Sequence, residues 1–303
     1  MKKLYFVLSA LFLLLTAAGT FWLYSFLLNI RSESPLPASF PSAERKPTIY
    51  IGVVSRYSPY LIYEGYQPIM DYLSAHTGHR YELRLSSRYE QTIKQLANGE
   101  VAAAFLGSFL YARYKNTYRL KALLQPLNAA GQPLFRSVVI TAADQPLQSI
   151  NQIKGKRLAL PSPLSFSGNW LFNPRLCSPV FRRTDFDSIR YFGHHNTVVY
   201  QIIKHNFDVG VVKERVAREF LPHGIKMIAR SKPFPSSPLV VSRHTPPAIA
   251  EEIRKTLLTL PPIESQTSAT LTHWDREFRF GFVPAREAAF DSLAISMQGL
   301  GAK

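Results

Sequence analysis

The chain has very little cysteine, and this scarcity excludes several classes of protein. Its 303 residues include a single cysteine, Cys177, so no intramolecular disulfide can form and no zinc site can be built from a cysteine cluster. Because no cysteine follows the N-terminal apolar run, a lipoprotein anchor is excluded as well. We expect Cys177 to be a small buried apolar side chain.

Acidic residues are scarce too: 20 Asp and Glu stand against 36 Lys and Arg, a net charge of +16. Such an excess suits nucleic acid, anionic lipid or a small anionic ligand. The basic residues are scattered in ones and twos rather than clustered with aromatic residues, so no nucleic-acid partner is predicted. An apolar content of 46% predicts a folded protein of one or two domains. No cofactor and no metal site are predicted.

A long uncharged segment lies near the N-terminus, from Leu4 to Ile30. It exceeds both the ~7–15 apolar residues of a signal peptide and the ~20 that a membrane-spanning helix needs. We predict that residues 1–30 are an uncleaved signal anchor that crosses the inner membrane through residues 4–30. The remainder would then lie on the periplasmic side, behind a Pro/Ser-rich tether at 31–47. Cleavage in the small-residue patch 16–19, with secretion to the periplasm, is the alternative.

From residue 48 onward, apolar β-branched runs alternate with segments of helical periodicity. The predicted strands are 48–54, 81–85, 101–106, 136–141, 157–160, 188–192, 207–212 and 226–228. This alternation indicates α/β layers with largely parallel sheets. We predict two lobes, residues 48–138 plus 235–303 and residues 139–234, joined by crossings near 139–142 and 231–240 with a cleft between them.

A hydroxyl-rich loop follows the predicted strand at 157–160. It contains Ser162, Ser165, Ser167 and Gly168 and precedes a segment that can turn helical. Serine hydroxyls and backbone N–H groups at a helix N-terminus attract an anion, although an ordinary N-cap gives the same pattern. Further loops rich in hydroxyl groups or histidine follow other predicted strands and are expected to converge on the same cleft; they lie at 55–59, 86–89, 107–108 and 194–197. Together they predict an anion site.

A series of short motifs spans roughly residues 48–245. The motifs are Ile51-Gly52-Val53-Val54, Tyr66-Gln67-Pro68, Asp71-Tyr72-Leu73, Thr77-Gly78, Arg88-Tyr89-Glu90-Gln91-Thr92-Ile93, Asn98-Gly99-Glu100-Val101, Ile153-Lys154-Gly155-Lys156, Ser165-Phe166-Ser167-Gly168, His195 with Asp208, and Ser231-Lys232-Pro233-Phe234-Pro235. Their order resembles that of the phosphonate/phosphite/phosphate substrate-binding proteins of ABC transporters. The resemblance implies a two-lobed type II periplasmic-binding-protein fold with its ligand cleft at the hinge.

Site residues follow from the same resemblance. Tyr89 would hydrogen-bond a ligand oxygen from the first lobe, and His195 would donate to the same oxyanion. The segment Ser165, Phe166, Ser167 and Gly168 would cradle the oxyanion from the second lobe. Two positions depart from the family: Phe166 stands where a small or hydroxyl-bearing residue is usual, and Leu106 stands where a tyrosine is common.

The sequence therefore predicts a periplasm-facing binding protein that captures a phosphorus oxyanion (phosphonate, phosphite or phosphate) by hinge closure, for uptake through an ABC permease. The alternative is a membrane-tethered sensor or interaction module, with a membrane partner, that reuses the same fold. An enzyme is not predicted, because the hydroxyl-rich loop lacks the strained G-x-S-x-G turn of serine hydrolases.

Overall fold

The computed structural model describes residues 2–29, 46–260 and 274–297. The chain consists of two compact units, Met1–Arg45 and Lys46–Lys303. The described part of the first is helix α1, Lys2–Asn29. Within it, Leu8–Ser25 has a mean hydropathy of 1.6, enough by length and composition to cross a membrane, a test that a signal sequence also passes. The predicted tether at 31–47 lies almost wholly outside the described residues.

The second unit is a mixed α/β structure. Its strands are β1 Thr48–Val53, β2 Arg80–Leu85, β3 Ala103–Phe105, β4 Lys121–Pro126, β5 Leu134–Phe135, β6 Ser137–Ala142, β7 Arg157–Leu160, β8 Ser188–Tyr191, β9 Val209–Lys213, β10 Ile225–Arg230, β11 Phe234–Pro235, β12 Leu239–Val241 and β13 Phe282–Pro284. Its helices are α2 Pro59–His76, α3 Tyr89–Ala97, α4 Ser108–Tyr118, α5 His195–Ile203, α6 Glu214–Phe220, α7 Pro247–Leu258 and α8 Glu287–Met297.

The strands form two large sheets, ordered β13-β4-β12-β3-β1-β2 and β10-β6-β9-β7-β8. The prediction of largely parallel sheets is wrong, because among the strands of the described residues only the pairs β1–β2, β1–β3, β7–β8 and β7–β9 are parallel. The chain returns to the first sheet after completing the second, and β12 then enters antiparallel between β3 and β4. Each sheet therefore combines a parallel part with an antiparallel part.

The chain crosses between the two sheets twice, after Pro126 and after Arg230. Both crossings pass through a short antiparallel ribbon in which Phe135 of β5 pairs with Phe234 of β11. The strand β6 belongs to the second sheet from Ser137 onward, so the first crossing lies ahead of it. The division into two separately moving lobes with the predicted bounds stays a prediction.

Helix α2 shows how the sequence produces a packed layer. Ser58 caps its N-terminus, and Pro59 occupies the first turn, where no backbone N–H is needed. Its buried face includes Tyr66, whose ring makes edge contacts with Phe105 and Phe278, at centroid distances of 5.2 and 5.0 Å. Phe278 lies far along the chain, so this aromatic cluster fixes the turn at 274–281 onto the first sheet.

Gly65 allows that turn to approach α2 closely. A Cβ at Gly65 would lie 2.9 Å from the Cβ of Asp275, and the N–H of Asp275 donates to the carbonyl of Gly65 at 2.9 Å. The turn thereby carries Asp275 and Glu277 into the space between the two sheets.

Candidate functional site

A small cavity lies between the two sheets, beside the ends of β1, β3 and β9. Its volume is about 30 Å³. We call it the inner cavity. It is lined by Val54, Arg56, Tyr89, Gly107, Ser108, Phe109, Phe135, Ser165, Phe166, Ser167, His195, Lys213 and Ser237. Five of the six predicted ligand residues are in this lining; the sixth, Gly168, is not.

The segment after the hydroxyl-rich loop does turn helical, but it does not form an α-helix. The loop is followed by a single 3-10 turn, Trp170–Phe172. Ser165 is used within the loop: its hydroxyl donates to the carbonyl of Ser162 at 2.8 Å and accepts from the N–H of Gly168 at 3.1 Å. A Cβ at Gly168 would lie 2.0 Å from the Ser162 oxygen, so only glycine permits this turn.

Ser167 and Tyr89 reach the inner cavity from opposite sheets. The hydroxyl of Ser167 shares a hydrogen bond of 2.7 Å with the hydroxyl of Ser137, at the start of β6. Tyr89 begins α3 and is 7% exposed. Its burial raises the pKa of the phenol, so the group stays protonated and able to donate.

Phe166 packs against one aromatic side chain from each of the two segments that cross between the sheets. Its ring stacks on Phe234 of β11 at a centroid distance of 3.3 Å and contacts the edge of Phe135 of β5 at 6.2 Å. The residue that departs from the family pattern is therefore part of the apolar ribbon between the sheets, and it narrows the inner cavity on that side.

His195 is the histidine that the structure brings to the inner cavity. It begins α5, is 2% exposed and accepts, through Nδ1, a hydrogen bond of 3.3 Å from the N–H of Lys213. Burial and the neighbouring Lys213 and Arg56 hold the pKa of His195 well below its usual range. The neutral ring with its proton on Nε2 can therefore donate one hydrogen bond. His194 is the N-cap of α5 and does not line the cavity.

Three charged residues at the inner cavity are absent from the predicted site: Arg56 and Lys213 line the cavity, and Glu277 pairs with both. Arg56 follows β1, Lys213 ends β9, and Glu277 lies in the turn at 274–281. Glu277 accepts from Arg56 Nη1 at 3.0 Å and from Lys213 Nζ at 2.8 Å. Both cations also donate to the hydroxyl of Ser237, at 2.9 and 3.0 Å. All three charged side chains are more than nine-tenths buried.

Burial and neighbouring opposite charges shift the pKa values of Glu277 and Lys213 in opposite directions. Burial alone would raise the pKa of Glu277, but Arg56 and Lys213 outweigh it and hold that pKa well below the usual range. Burial lowers the pKa of Lys213 to about 8, even though Glu277 opposes the shift. Near neutral pH, the cluster therefore contains two positive charges and one negative charge.

Several donors at the inner cavity remain unused. Arg56 offers Nε and Nη2, and Ser108 offers Oγ; all three atoms are buried without a hydrogen-bond partner among the described residues. Ser108 is 1% exposed and begins α4, an 11-residue helix without a side-chain cap. The first N–H groups of a helix lack intrahelical partners and favour an anion. The Nε and Nη2 edge of arginine is a fork that matches two oxygens of one oxyanion.

A second, larger cavity lies near the inner one, since its lining includes Tyr57 and Asn196, the chain neighbours of Arg56 and His195. Its volume is about 520 Å³, and we call it the outer cavity. Three cations and three carboxylates are in its lining, together with Tyr57 and Trp274: Arg215, Arg276, Arg279, Glu64, Glu219 and Asp275. Arg215 of α6 pairs with Glu219 at 2.8 Å and with Asp275 at 3.5 Å, and it donates to the hydroxyl of Tyr57.

Comparison with known proteins shows the family of the chain. Residues 51–290 match the model of a family described as the phosphonate periplasmic substrate-binding protein of ABC transporters. The chain belongs to this phosphonate-binding family. The family consists of binding proteins and not enzymes, and the type II periplasmic-binding-protein fold expected from the sequence is confirmed.

Solved structures share the fold at low sequence identity. A binding protein component of an ABC phosphonate transporter from Pseudomonas aeruginosa is 17% identical, with a TM-score of 0.70 over 85% of this chain and 91% of that one. PhnD1 from Prochlorococcus marinus, in complex with methylphosphonate, is 13% identical, with a TM-score of 0.70 over 84% and 98%. XAC2383 from Xanthomonas citri, bound to ATP, is 19% identical, with a TM-score of 0.63 over 83% and 97%.

Proposed function

We propose that the protein captures a phosphorus oxyanion (phosphonate, phosphite or phosphate) in the inner cavity. The observation that supports this most directly is the set of unused buried donors, Arg56 Nε and Nη2 and Ser108 Oγ. A buried donor without a partner costs free energy, and an oxyanion with several acceptor oxygens would remove that cost. Tyr89, Ser167 and His195 line the same space and would complete the coordination.

Ligand access requires the two sheets to separate, because Arg56, Ser108 and His195 are each at most 2% exposed and the inner cavity lies between the sheets. The ribbon of β5 and β11 is the proposed hinge, since both crossings of the chain pass through it. Separation would break the Lys213–Glu277 and Arg215–Asp275 ion pairs, each of which joins a residue of β9 or α6 to the turn at 274–281. Closure would reform these pairs around the captured anion.

We further propose that residues 4–30 anchor the protein in the inner membrane, where it delivers its ligand to an ABC permease. Helix α1 has 28 residues, and at about 1.5 Å per residue it is longer than the ~30 Å hydrocarbon core of a bilayer. Cell fractionation with an antibody to the C-terminal region checks this. Release with the soluble periplasmic fraction, at a mass shorter by the N-terminal segment, would contradict an uncleaved anchor.

Calorimetric titration of the full-length protein in detergent micelles tests the ligand class. The ligands are phosphate, phosphite, methylphosphonate, 2-aminoethylphosphonate and sulfate. We expect micromolar or tighter binding of at least one phosphorus anion and rejection of sulfate. If a sample with a cooperative thermal transition binds none of them, oxyanion capture is wrong, and the membrane-tethered sensor or interaction module becomes the leading hypothesis.

A further inference from the structure

Glu277 has an unusual place in a cleft proposed to take anions. Its carboxylate is a permanent part of the chain, yet it binds both buried cations of the inner cavity, at 3.0 Å from Arg56 and 2.8 Å from Lys213. Packing fixes this position: Phe278, the next residue, is fully buried against Tyr66 and Phe105. The carboxylate is therefore a built component of the site.

The contact on Arg56 leaves the rest of its guanidinium available. Glu277 and Ser237 both accept from Nη1, whereas Nε and Nη2 have no partner among the described residues. Glu277 therefore holds the arginine by one nitrogen and leaves free the edge that can bind two oxygens of a ligand. Lys213 likewise retains one of its three N–H groups beyond those it donates to Glu277 and Ser237.

Glu277 also sets the net charge beside the inner cavity. Arg56, Lys213 and Glu277 together carry one net positive charge, and the adjacent His195 is neutral. Arg215, Arg276, Glu219 and Asp275 belong to the outer cavity, and these two cations and two carboxylates balance one another in ion pairs. In a site shielded from water, an unbalanced charge is costly. One negative charge on the ligand balances the inner cavity, whereas two leave an excess.

Building on the proposed oxyanion function, we propose that Glu277 is a specificity-determining residue that makes the inner cavity select singly charged oxyanions over doubly charged ones. It achieves this by occupying one face of the two-cation cluster while it orients Arg56 toward the ligand. A site with the same two cations and no carboxylate would favour the doubly charged ligand.

Hypophosphite and phosphite test this selectivity. Hypophosphite carries one charge throughout the accessible pH range, and phosphite carries two above its second pKa. Both are titrated calorimetrically into the full-length protein, at a pH between that value and the pKa of about 8 of Lys213. We expect the wild type to bind hypophosphite more tightly. In Glu277→Gln the ratio of the phosphite Kd to the hypophosphite Kd should fall by about tenfold or more, because two cations then face the ligand alone.

Two further variants make the experiment decisive. Glu219→Gln is the matched control: it removes a carboxylate of the outer cavity that contacts neither Arg56 nor Lys213, and its ratio should equal that of the wild type. Lys213→Gln removes one positive charge and should raise the ratio, which keeps the test valid if Glu277→Gln does not fold. An unchanged or lower ratio in Lys213→Gln, or an unchanged ratio in folded Glu277→Gln, overturns the role of Glu277. If neither anion binds any variant or the wild type, oxyanion capture itself fails.

Discussion

The inner and outer cavities lie side by side and differ in every property that matters for binding an anion. The outer cavity has a volume of about 520 Å³ against about 30 Å³ for the inner one. Its lining holds equal numbers of cations and carboxylates, and the side chains of Arg215 and Glu219 are each 26% exposed. In the inner cavity the cations outnumber the carboxylates, and Arg56 is 3% exposed in its side chain.

This difference shows why volume is a poor guide to the site. In the outer cavity, Arg215 Nε and Trp274 Nε1 also lack partners, but Arg215 is already neutralised by Glu219 and Asp275. Neighbouring carboxylates therefore balance most of the positive charge there. In the inner cavity the unused donors are shielded from water and face an uncompensated positive charge, so an anion gains more there.

Arg56→Lys should cause the largest loss of anion affinity in the inner cavity. Lysine keeps the positive charge but removes the two-nitrogen edge, so at least one charge-assisted hydrogen bond to the ligand is lost. The expected loss is about 3 kcal/mol of binding free energy, or roughly 150-fold in Kd for the best-binding phosphorus anion. The measurement is calorimetric titration of the full-length protein.

The matched control for that substitution is Arg276→Lys in the outer cavity. Arg276 is an exposed arginine that lies 3.8 Å from Glu219, so its replacement should leave the Kd unchanged. Equal losses in the two variants, or no loss in Arg56→Lys, would mean that the anion binds in the outer cavity or at neither place.

Ser108→Ala should lower affinity without lowering stability. In the structure Ser108 Oγ is buried without a partner, so its removal costs the ligand-free protein nothing and relieves an unsatisfied group. The anion, however, loses one hydrogen bond to a charged oxygen, about 1.5 kcal/mol or roughly tenfold in Kd. Thermal melting and titration of the same sample separate the two effects.

Ser242→Ala is the comparison for Ser108→Ala. Ser242 is also a buried serine, but its hydroxyl accepts a hydrogen bond of 3.2 Å from the N–H of His244, in a turn remote from the inner cavity. Its replacement should lower the melting temperature and leave the Kd unchanged. A Ser108→Ala protein that melts lower and binds normally would show that Ser108 has a structural role only.

The sequence predicts those parts of the site that arise from residues close together in the chain, and it does not predict contacts between residues far apart in the chain. Strand β7 occupies the range that periodicity predicts, and the loops after the strands do converge, because the ends of parallel strands share one edge of a sheet. The role of Glu277 could not be predicted in this way. It reaches Arg56 across 221 residues, through the packing of Phe278 against aromatic residues of α2 and β3, and no local pattern encodes such a contact.

Two other residues could have been found from the sequence. Lys213 ends an otherwise apolar strand, and Arg56 lies in a loop already assigned to the cleft, so a cation at the end of a buried strand was the available signal. The sequence pattern puts Ser108 in a converging loop. It does not indicate helix α4, because aromatic and charged residues alternate there without one clear apolar face. The helix N-terminus predicted after Ser167 is supplied instead by α4.

The smallest expected effect is a dependence of affinity and stability on pH. It arises from Lys213 of the inner cavity and not from the exposed charges of the outer cavity. Burial lowers the pKa of Lys213 from 10.5 to about 8, while Glu277 raises it and Arg56 lowers it. Above pH 8 the folded protein loses this proton before the unfolded chain does, so the contribution of Lys213 to the free energy of unfolding rises with pH. Affinity for hypophosphite, whose own charge is constant, should fall because the anion then faces one cation fewer.

Between pH 8 and pH 9 the expected changes are roughly a fivefold rise in the Kd for hypophosphite and a gain of roughly 1 kcal/mol in the free energy of unfolding of the ligand-free protein. Lys213→Gln cannot titrate at this position, so subtracting its profile from that of the wild type isolates the lysine from the other groups that ionise in this range. If the difference profile is flat for both quantities, Lys213 does not titrate near pH 8. If stability rises while affinity stays constant, Lys213 is buried as the structure shows but does not contact the anion, and the ligand is held by Arg56 and α4 alone.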